Sequence, residues 1–183
     1  HYDHVGGLGE LRTLSFLAKR RLEVFATPDV LEGLQRSAGY LFKLDESDDA
    51  ELYKPSAEAR PIAYGAPFDA QGVEVLPFCQ DHGICESAGF RFGKFAYSTD
   101  VALLDDAAFA ALEGVEVWIV DCLRENPHPT HAHFDRTLEW IDRVKPKRAI
   151  FTHMNFESDY ADLCARCPEG VEPGYDGMVL DIH

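Results

Sequence analysis

The most informative stretch of this chain is its start, His1-Tyr2-Asp3-His4, followed by Val5-Gly6-Gly7-Leu8. Three of the first four side chains are of types that bind metal ions, and they lie within the length of a single turn. Imidazole and carboxylate together suit zinc, manganese or iron, whereas calcium and magnesium prefer oxygen ligands alone. The stretch therefore predicts a transition-metal site, and we expect further chain, with another ligand, upstream of His1.

The size and composition are those of an ordinary globular domain. The chain has 183 residues, of which 46% are hydrophobic and 27% charged, so we expect one domain over 1–183 that lacks its N-terminal portion. No apolar run approaches the roughly 20 residues of a membrane helix, and no signal segment opens the chain. We therefore expect a soluble, cytoplasmic protein.

The charge balance is strongly acidic. The chain carries 17 basic and 32 acidic residues, a formal net charge of −15, which opposes binding of nucleic-acid polymers and anionic membranes. Its five cysteines are scattered and odd in number, which suits a reducing compartment. Cys164 and Cys167 have a CxxC spacing, but no second pair stands nearby, so two ordinary thiols are favoured over a structural metal site.

Hydrophobic periodicity predicts alternating strands and helices. We expect a helix beginning near Gly7 to Gly9 and further helices at 28–37, 105–113 and 135–144. The predicted strands are 24–27, 73–78, 115–120 and 148–151, together with a hairpin over 89–100 that turns at Gly93. The acidic stretch 45–59 is predicted to be a surface loop; the alternative is a lid with Tyr40, Phe42 and Tyr53 facing a substrate.

Four apolar runs are followed by an aspartate or a histidine, namely His82, Asp100, Asp121 and His153. Polar groups at one edge of a sheet form a rigid site that is open to solvent, so we expect these strand ends to converge. Either histidine alone would more often be a hydrogen-bonded residue than a ligand. Together with the opening cluster, both are predicted to bind metal.

The opening stretch resembles the second half of the HxHxDH signature of the metallo-β-lactamase superfamily. The first histidine of that signature would lie two residues upstream of His1. The later landmarks of the family agree in order and context: His82 in Asp-His-Gly, Asp100 in Tyr-Ser-Thr-Asp and His153 in Phe-Thr-His-Met. The resemblance covers nearly the whole chain.

Longer motifs are similar to those of the PhnP-type cyclic phosphodiesterase branch. They are 89–100, His128-Pro129-Thr130-His131, Pro146-Lys147-Arg148-Ala149 and Tyr175-Asp176-Gly177-Met178. The resemblance implies an α/β (α+β) fold, the αββα metallo-β-lactamase-like sandwich. We expect the N-terminal strands of that sandwich to lie upstream of this chain.

The resemblance also implies a role for each matching residue. His1 and His82, with the upstream histidine, would bind one metal ion, and Asp3, His4 and His153 would bind a second. Asp100 would bridge the two ions. The implied cofactors are two divalent ions, manganese or zinc, and His131 would lie beside the substrate phosphate. Asp3 and His131 are the predicted catalytic residues.

The chemistry of such a site follows from general principles. Two cations roughly 3.5–4 Å apart share a bridging water and lower its pKa, so that hydroxide is available as a nucleophile near neutral pH. The cations also offset the negative charge that develops on phosphorus. A histidine that does not bind metal can protonate the leaving alkoxide, and His131 is the candidate.

Three further polar side chains follow apolar runs or lie close to His131 in the sequence. His128 and His133 resemble His131 by type only, and we expect both to be polar loop residues. Asp121 is predicted either to orient a metal-bound histidine or to bond to a loop or helix terminus, and the sequence does not separate these roles.

The sequence therefore predicts a metal-dependent phosphodiesterase acting on a small, cyclic phosphodiester of a sugar or nucleotide. The alternatives are a ribonuclease Z-like tRNA-processing nuclease, a glyoxalase-type thioesterase and an inactive binding member of the fold. We expect a small phosphodiester as the partner, with no nucleic-acid polymer and no membrane. Whether two copies form a homodimer is left open.

Overall fold

The computed structural model of the protein describes residues 1–43 and 55–182. The backbone groups into two compact units, His1–Ala63 and Tyr64–His183. That the chain forms one domain over 1–183 stays a prediction.

The first unit combines short helices with one pair of parallel strands. Its elements are α1 (Tyr2–Val5), a 3₁₀ helix (Gly6–Glu10), α2 (Leu11–Ala18), β1 (Leu22–Ala26), α3 (Pro28–Ser37), a second 3₁₀ helix (Gly39–Leu41) and β2 (Ala57–Pro61). Strands β1 and β2 pair in parallel, from Leu22 opposite Ala57 to Ala26 opposite Pro61. Helix α3 has the predicted bounds, with proline in its first turn, where the missing N–H costs nothing.

The start of the first unit differs from the prediction. Helical structure was expected to begin near Gly7 to Gly9, but α1 already begins at Tyr2. The glycine-rich segment Gly6–Glu10 is a 3₁₀ helix, because glycine is a poor α-helix former and tight 3₁₀ turns are common between helices. Asp3 and His4 therefore lie on a single α-helical turn, and His1 directly precedes it.

Phe42 belongs to the core of the first unit, so the alternative that placed it on a lid facing a substrate is wrong for this residue. It is buried in a cluster with Leu34, Leu41 and Ala57. Tyr40 is 67% exposed. Tyr53 and the rest of 44–54 lie outside the described residues, while the end of the predicted loop forms part of β2.

The second unit is built on one sheet of seven strands. The strands are β3 (Phe68–Ala70), β4 (Val73–Asp81), β5 (Glu86–Phe92), β6 (Phe95–Ser98), β7 (Val117–Asp121), β8 (Arg148–Thr152) and β9 (Val171–Pro173), in spatial order from β3 to β9. Pairs β4–β5 and β5–β6 are antiparallel, whereas β6 to β9 are parallel. Strands β4, β6, β7 and β8 consequently run in one direction and end at one edge of the sheet.

Three helices of the second unit bury their apolar sides in the same core as one face of the sheet. They are α4 (Asp106–Ala111), α5 (Phe134–Val144) and α6 (Tyr160–Arg166). Trp118 and Phe151 are the largest fully buried side chains of this core, and they share it with Trp140 of α5 and Leu163 of α6. Trp118 also donates from Nε1 to Ser98 Oγ, which satisfies its one buried polar atom.

The predicted strands of the second unit are all present, with shifted ends. Strand β4 continues to Asp81, three residues beyond the prediction, and β6 stops at Ser98 rather than Asp100. The structure adds β3, β9 and α6, which are too short to show a clear period in the sequence. No helix within 1–43 and 55–182 has the length and apolar character needed to cross a membrane.

Candidate active site

Asp100 lies at the centre of a group of buried and half-buried polar residues at the edge where β4, β6, β7 and β8 end. Its Oδ2 lies 3.8 Å from Nε2 of His82, and its Oδ1 lies 3.3 Å from Nε2 of His153. The predicted convergence of the strand ends is therefore confirmed. We refer to the group as the strand-end cluster: His82, Asp100, Asp121, His131 and His153.

Two members of this cluster have left-handed backbone conformations. Asp100 has φ of +54° and His153 has φ of +60°, values that are uncommon for residues other than glycine. Such conformations persist only where the surrounding structure enforces them, and they concentrate at functional sites. The side chains of Asp100 and His153 are turned towards each other at this strained edge.

A buried hydrogen-bonded network supports the backbone around Asp100. Ser87 Oγ donates to the Asp100 carbonyl at 2.7 Å, and Gln80 Nε2 donates to Ser87 Oγ and to the Thr99 carbonyl, each at 3.0 Å. Gln80 is buried, so these bonds satisfy its amide donor within the protein. The network fixes the residue that faces both histidines.

His82 is oriented by the loop between β7 and α5. Its Nδ1 donates to the Thr130 carbonyl at 2.6 Å, and since a carbonyl only accepts, the proton is on Nδ1. Its Nε2, which faces Asp100, then carries the lone pair that binding of a metal ion would require. Gly83, with φ of +79°, allows the loop to come close, because a Cβ there would collide with the Pro129 carbonyl.

Asp121 binds the predicted catalytic histidine. It is fully buried, and its Oδ2 accepts from His131 Nδ1 at 2.8 Å and from the backbone N–H of Val101 at 3.1 Å. The carboxylate therefore holds His131 with Nε2 as its second functional atom. The predicted bond to a loop is present, through the N–H of Val101, and Asp121 also orients a histidine, although that histidine is His131 and not one of the predicted metal ligands.

His131 stands between the two histidines that face Asp100. Its ring centroid lies 4.8 Å from that of His82 and 4.8 Å from that of His153. Its Nδ1 is 3.9 Å from Asp100 Oδ1, farther than from Asp121. His131 is thus adjacent to the candidate metal ligands while its own hydrogen bond is directed to Asp121.

The two other histidines of the loop differ from each other. The ring of His128 lies 5.3 Å from that of His131. His133 precedes the first residue of α5, and its side chain does not cap that helix. Both residues were predicted to be polar loop residues. His128, however, lies beside His131, a member of the strand-end cluster.

The donor set of the second unit fits a divalent transition metal. Asp100, Asp121, His131 and His153 each offer a ligand atom, and these atoms all lie within 4.8 Å of one another. The hydrogen bond between His131 and Asp121 accounts for part of the short distances among these four side chains. The imidazoles of His82 and His153 and the carboxylate of Asp100 provide the nitrogen and oxygen ligands that such metals bind.

The opening ligands lie in the first unit. His1 precedes α1, and Asp3 and His4 lie on it, with Asp3 Oδ2 3.3 Å from His4 Nε2. All three residues are exposed. That His1, Asp3, His4, His82, Asp100 and His153 bind metal, and that Asp3 and His131 are catalytic, stay predictions.

The cysteines take no part in these groups. Within 1–43 and 55–182, no set of three or more metal-binding side chains includes a cysteine. Burial raises the pKa of the Cys122 thiol to about 12 and also raises the pKa of Cys167, so both remain protonated near neutral pH. That Cys164 and Cys167 are ordinary thiols rather than a structural metal site stays a prediction.

Comparisons with known proteins place these features in context. Residues 1–154 match the family model of the beta-lactamase superfamily domain. The crystal structure of a new diphosphatase from the PhnP family superimposes with a TM-score of 0.88 at 27% identity, covering 100% of this chain and 68% of that one. Zinc-bound PqqB from Methylobacterium extorquens superimposes with a TM-score of 0.68 at 19% identity, covering 100% of this chain and 68% of that chain.

A curated relative carries a different name. An octanoyltransferase of Porphyromonas gingivalis strain W83 is 26% identical over 180 residues, which cover 97% of this chain and 35% of that protein. The chain thus spans about a third of the length of the relative. A name given to a protein nearly three times as long does not say which segment carries the transferase activity.

Proposed function

From its membership of the beta-lactamase superfamily, to which it belongs by the match over residues 1–154, we propose that this chain is a metal-dependent phosphodiesterase of small substrates. The predicted metallo-β-lactamase-like α/β fold and the predicted PhnP-type recognition are confirmed. The chain is accordingly a hydrolase of the metallo-β-lactamase fold. The class of ester and the identity of the metals belong to the proposal.

The observation that carries the proposal is the position of Asp100. Each of its two carboxylate oxygens faces a different histidine, His82 at 3.8 Å and His153 at 3.3 Å. A carboxylate shared in this way suits a bridge between two ions. We propose that His1, Asp3 and His4 supply further ligands, as the resemblance implies, with manganese or zinc as the ions.

Bound divalent ions would supply Lewis-acid stabilisation of phosphoryl oxygens and an acidified water. The protein residues would then hold the metal ligands in position and transfer one proton to the leaving group. Thr130 holds His82 in the tautomer that presents Nε2, and the Ser87–Gln80 network holds Asp100. Partners of this kind fix ligand orientation and tune ligand basicity.

Phosphodiester hydrolysis also requires a proton for the departing oxygen. Attack of a water oxygen on phosphorus forms one P–O bond and releases one proton from the water to solvent, and cleavage of the ester P–O bond leaves an alkoxide that needs one proton. We assign His131 as the donor of the proton from Nε2, because its Nδ1 proton is directed to Asp121. The carboxylate of Asp121 also stabilises the protonated imidazole before the transfer.

The proposed small size of the substrate rests on the net charge of the chain. A formal net charge of −15 opposes binding of a polyanion along the surface, so the proposal is a small phosphodiester such as a cyclic phosphate of a sugar or nucleotide. Local positive charge would come from the bound metal ions. Cytoplasmic location is part of this proposal.

The test is turnover of bis(p-nitrophenyl) phosphate and of a ribose cyclic phosphate by the full-length protein reconstituted with Mn²⁺ or Zn²⁺. We expect metal-dependent hydrolysis that a chelator abolishes and added metal restores. Asp3→Asn should lower both bound metal and activity, whereas Asp142→Asn, an exposed position on α5, should leave both unchanged. No turnover with either metal would refute the proposal, and tight binding of tRNA in a gel-shift assay would favour the nuclease alternative.

A further inference from the structure

His128 lies beside His131, the residue to which the proposed function assigns the proton transfer. Its ring lies 5.3 Å from that of His131, on the loop that also orients His82. We propose that the Nε2–H group of His128 donates a hydrogen bond to a phosphoryl oxygen of the substrate. This inference rests on the proposed function and adds to it a residue that binds the substrate without binding metal.

The loop around His128 is held in place on both sides. Arg124 donates from Nε to the Asn126 carbonyl at 3.1 Å and from Nη2 to the Pro127 carbonyl at 3.0 Å. Beyond His128, the Thr130 carbonyl accepts from His82, and the Pro129 carbonyl packs against Gly83. His128 itself stands between two prolines, which restrict the backbone further. A side chain held in this way binds a ligand with little loss of conformational entropy.

The hydrogen bonds of His128 determine its tautomer. Its Nδ1 accepts from the backbone N–H of Thr130 at 3.3 Å, and the Thr130 hydroxyl is 3.2 Å from the same atom. A backbone N–H only donates, so Nδ1 carries the lone pair and the proton of the neutral ring is on Nε2. Within 1–43 and 55–182, Nε2 makes no hydrogen bond.

The neutral form suits a binding role. Burial lowers the pKa of His128 below its ordinary value, and nearby His131 and Arg124 lower it further. The ring is therefore a neutral donor near pH 7, whereas His131 has a carboxylate partner that stabilises its protonated form. The two adjacent histidines would therefore have different roles: His131 would supply a proton, and His128 would donate a hydrogen bond to a phosphoryl oxygen of the substrate.

Two substitutions separate this role from a purely structural one. His128→Gln keeps a donor near the position of Nε2 but loses the acceptor at Nδ1, and His128→Asn keeps the acceptor for Thr130 but has no group at the position of Nε2. If His128 binds the substrate, His128→Asn should raise KM for bis(p-nitrophenyl) phosphate about tenfold or more, because a hydrogen bond to a charged group usually contributes that much to affinity. The kcat of this variant should change little. His128→Gln should lie close to the unmodified protein.

The opposite ranking would overturn the inference. If His128 only stabilises the Thr130 turn, His128→Asn will behave normally and His128→Gln will be impaired in both kcat and thermal stability. Equal KM values for both variants and the unmodified protein would also refute it. His133→Asn is the matched control, because it changes a histidine of the same loop at the position before α5, where asparagine is a favourable cap.

A binding measurement separates this inference from the proposed function. Inorganic phosphate is titrated calorimetrically into the metal-loaded protein and both His128 variants. Weaker phosphate binding in His128→Asn alone supports the inference even if no phosphodiester is hydrolysed, in which case only the proposed reaction fails. Unchanged phosphate affinity in His128→Asn would refute the role of His128 whatever the turnover.

Discussion

The opening turn, His1 to His4, and the strand-end cluster present the same side-chain types in contrasting ways. The opening turn is contiguous in sequence, lies on one helical turn and is exposed. The strand-end cluster is assembled from segments up to 71 residues apart, from His82 to His153, and Asp100 and Asp121 within it are buried. A contiguous motif can be recognised without any fold, whereas a dispersed cluster exists only because parallel strands end together.

The largest expected effect is that of Asp100→Asn, which tests whether the strand-end cluster depends on one shared carboxylate. Metal acting as a Lewis acid is worth several kcal/mol, and each 1.36 kcal/mol is tenfold in rate, so we expect kcat/KM to fall by about 10³–10⁴. Bound metal should fall as well, by elemental analysis. Full activity in this variant would mean that Asp100 does not bridge two metal ions and is not required by the strand-end cluster.

His131→Gln comes next and sharpens the division of roles within the cluster. Loss of a general acid typically costs about 10²–10⁴-fold, and we expect a loss in this range for an alkoxide leaving group, which departs poorly without a proton. The loss should shrink for p-nitrophenolate, which leaves without a proton. Steady-state rates with the two kinds of ester measure this difference, and His133→Gln serves as the control. An equal loss with both leaving groups would assign His131 to metal or substrate binding instead.

Asp121→Asn should have a smaller effect of the same kind. Removing the partner of a functional histidine typically costs about 10–100-fold, because the ring loses orientation and its protonated form loses stabilisation. The same leaving-group dependence as in His131→Gln is expected, and the double variant should be no worse than His131→Gln alone. Additive losses would show that Asp121 acts independently of His131.

The smallest effect concerns the stability of the opening turn. His4→Gln replaces an exposed residue, so the free energy of unfolding in urea should change by no more than about 0.5 kcal/mol. Leu112→Ala, in the core of the second unit, should cost about 2–5 kcal/mol in the same measurement. A large loss for His4→Gln would contradict the contrast between an exposed turn and a buried cluster.

The elements that sequence analysis predicted well are those with a strong period or a clear boundary. Helix α3 begins at a proline and was predicted with its observed bounds, and the buried strands β7 and β8 stand out as apolar runs. Strands β3 and β9 have three residues each and offer no period to detect. The parallel pairing of β1 with β2 joins segments more than 30 residues apart, and no local pattern indicates it.

In the candidate site too, residue types could be predicted from local sequence, whereas contacts between distant residues could not. His82, Asp100 and His153 were identified by residue type and by their places after apolar runs. Asp121 was noticed for the same reason and His131 was predicted to be catalytic, but their pairing was not predicted, because the 2.8 Å bond depends on how the following loop folds back. His128 was quoted as part of the His128-Pro129-Thr130-His131 motif, but its position beside His131 was not predicted.

The sequence by itself determined the chemical repertoire of this protein: imidazole and carboxylate ligands in a familiar order, an acidic surface and a set of apolar runs that must be buried. These properties are local, since they depend on side-chain type and spacing. Only the tertiary structure decided that Asp100 faces His82 and His153 with different oxygens and that His131 is held by Asp121. Such contacts depend on strand direction, loop course and backbone strain, which arise when distant segments pack together.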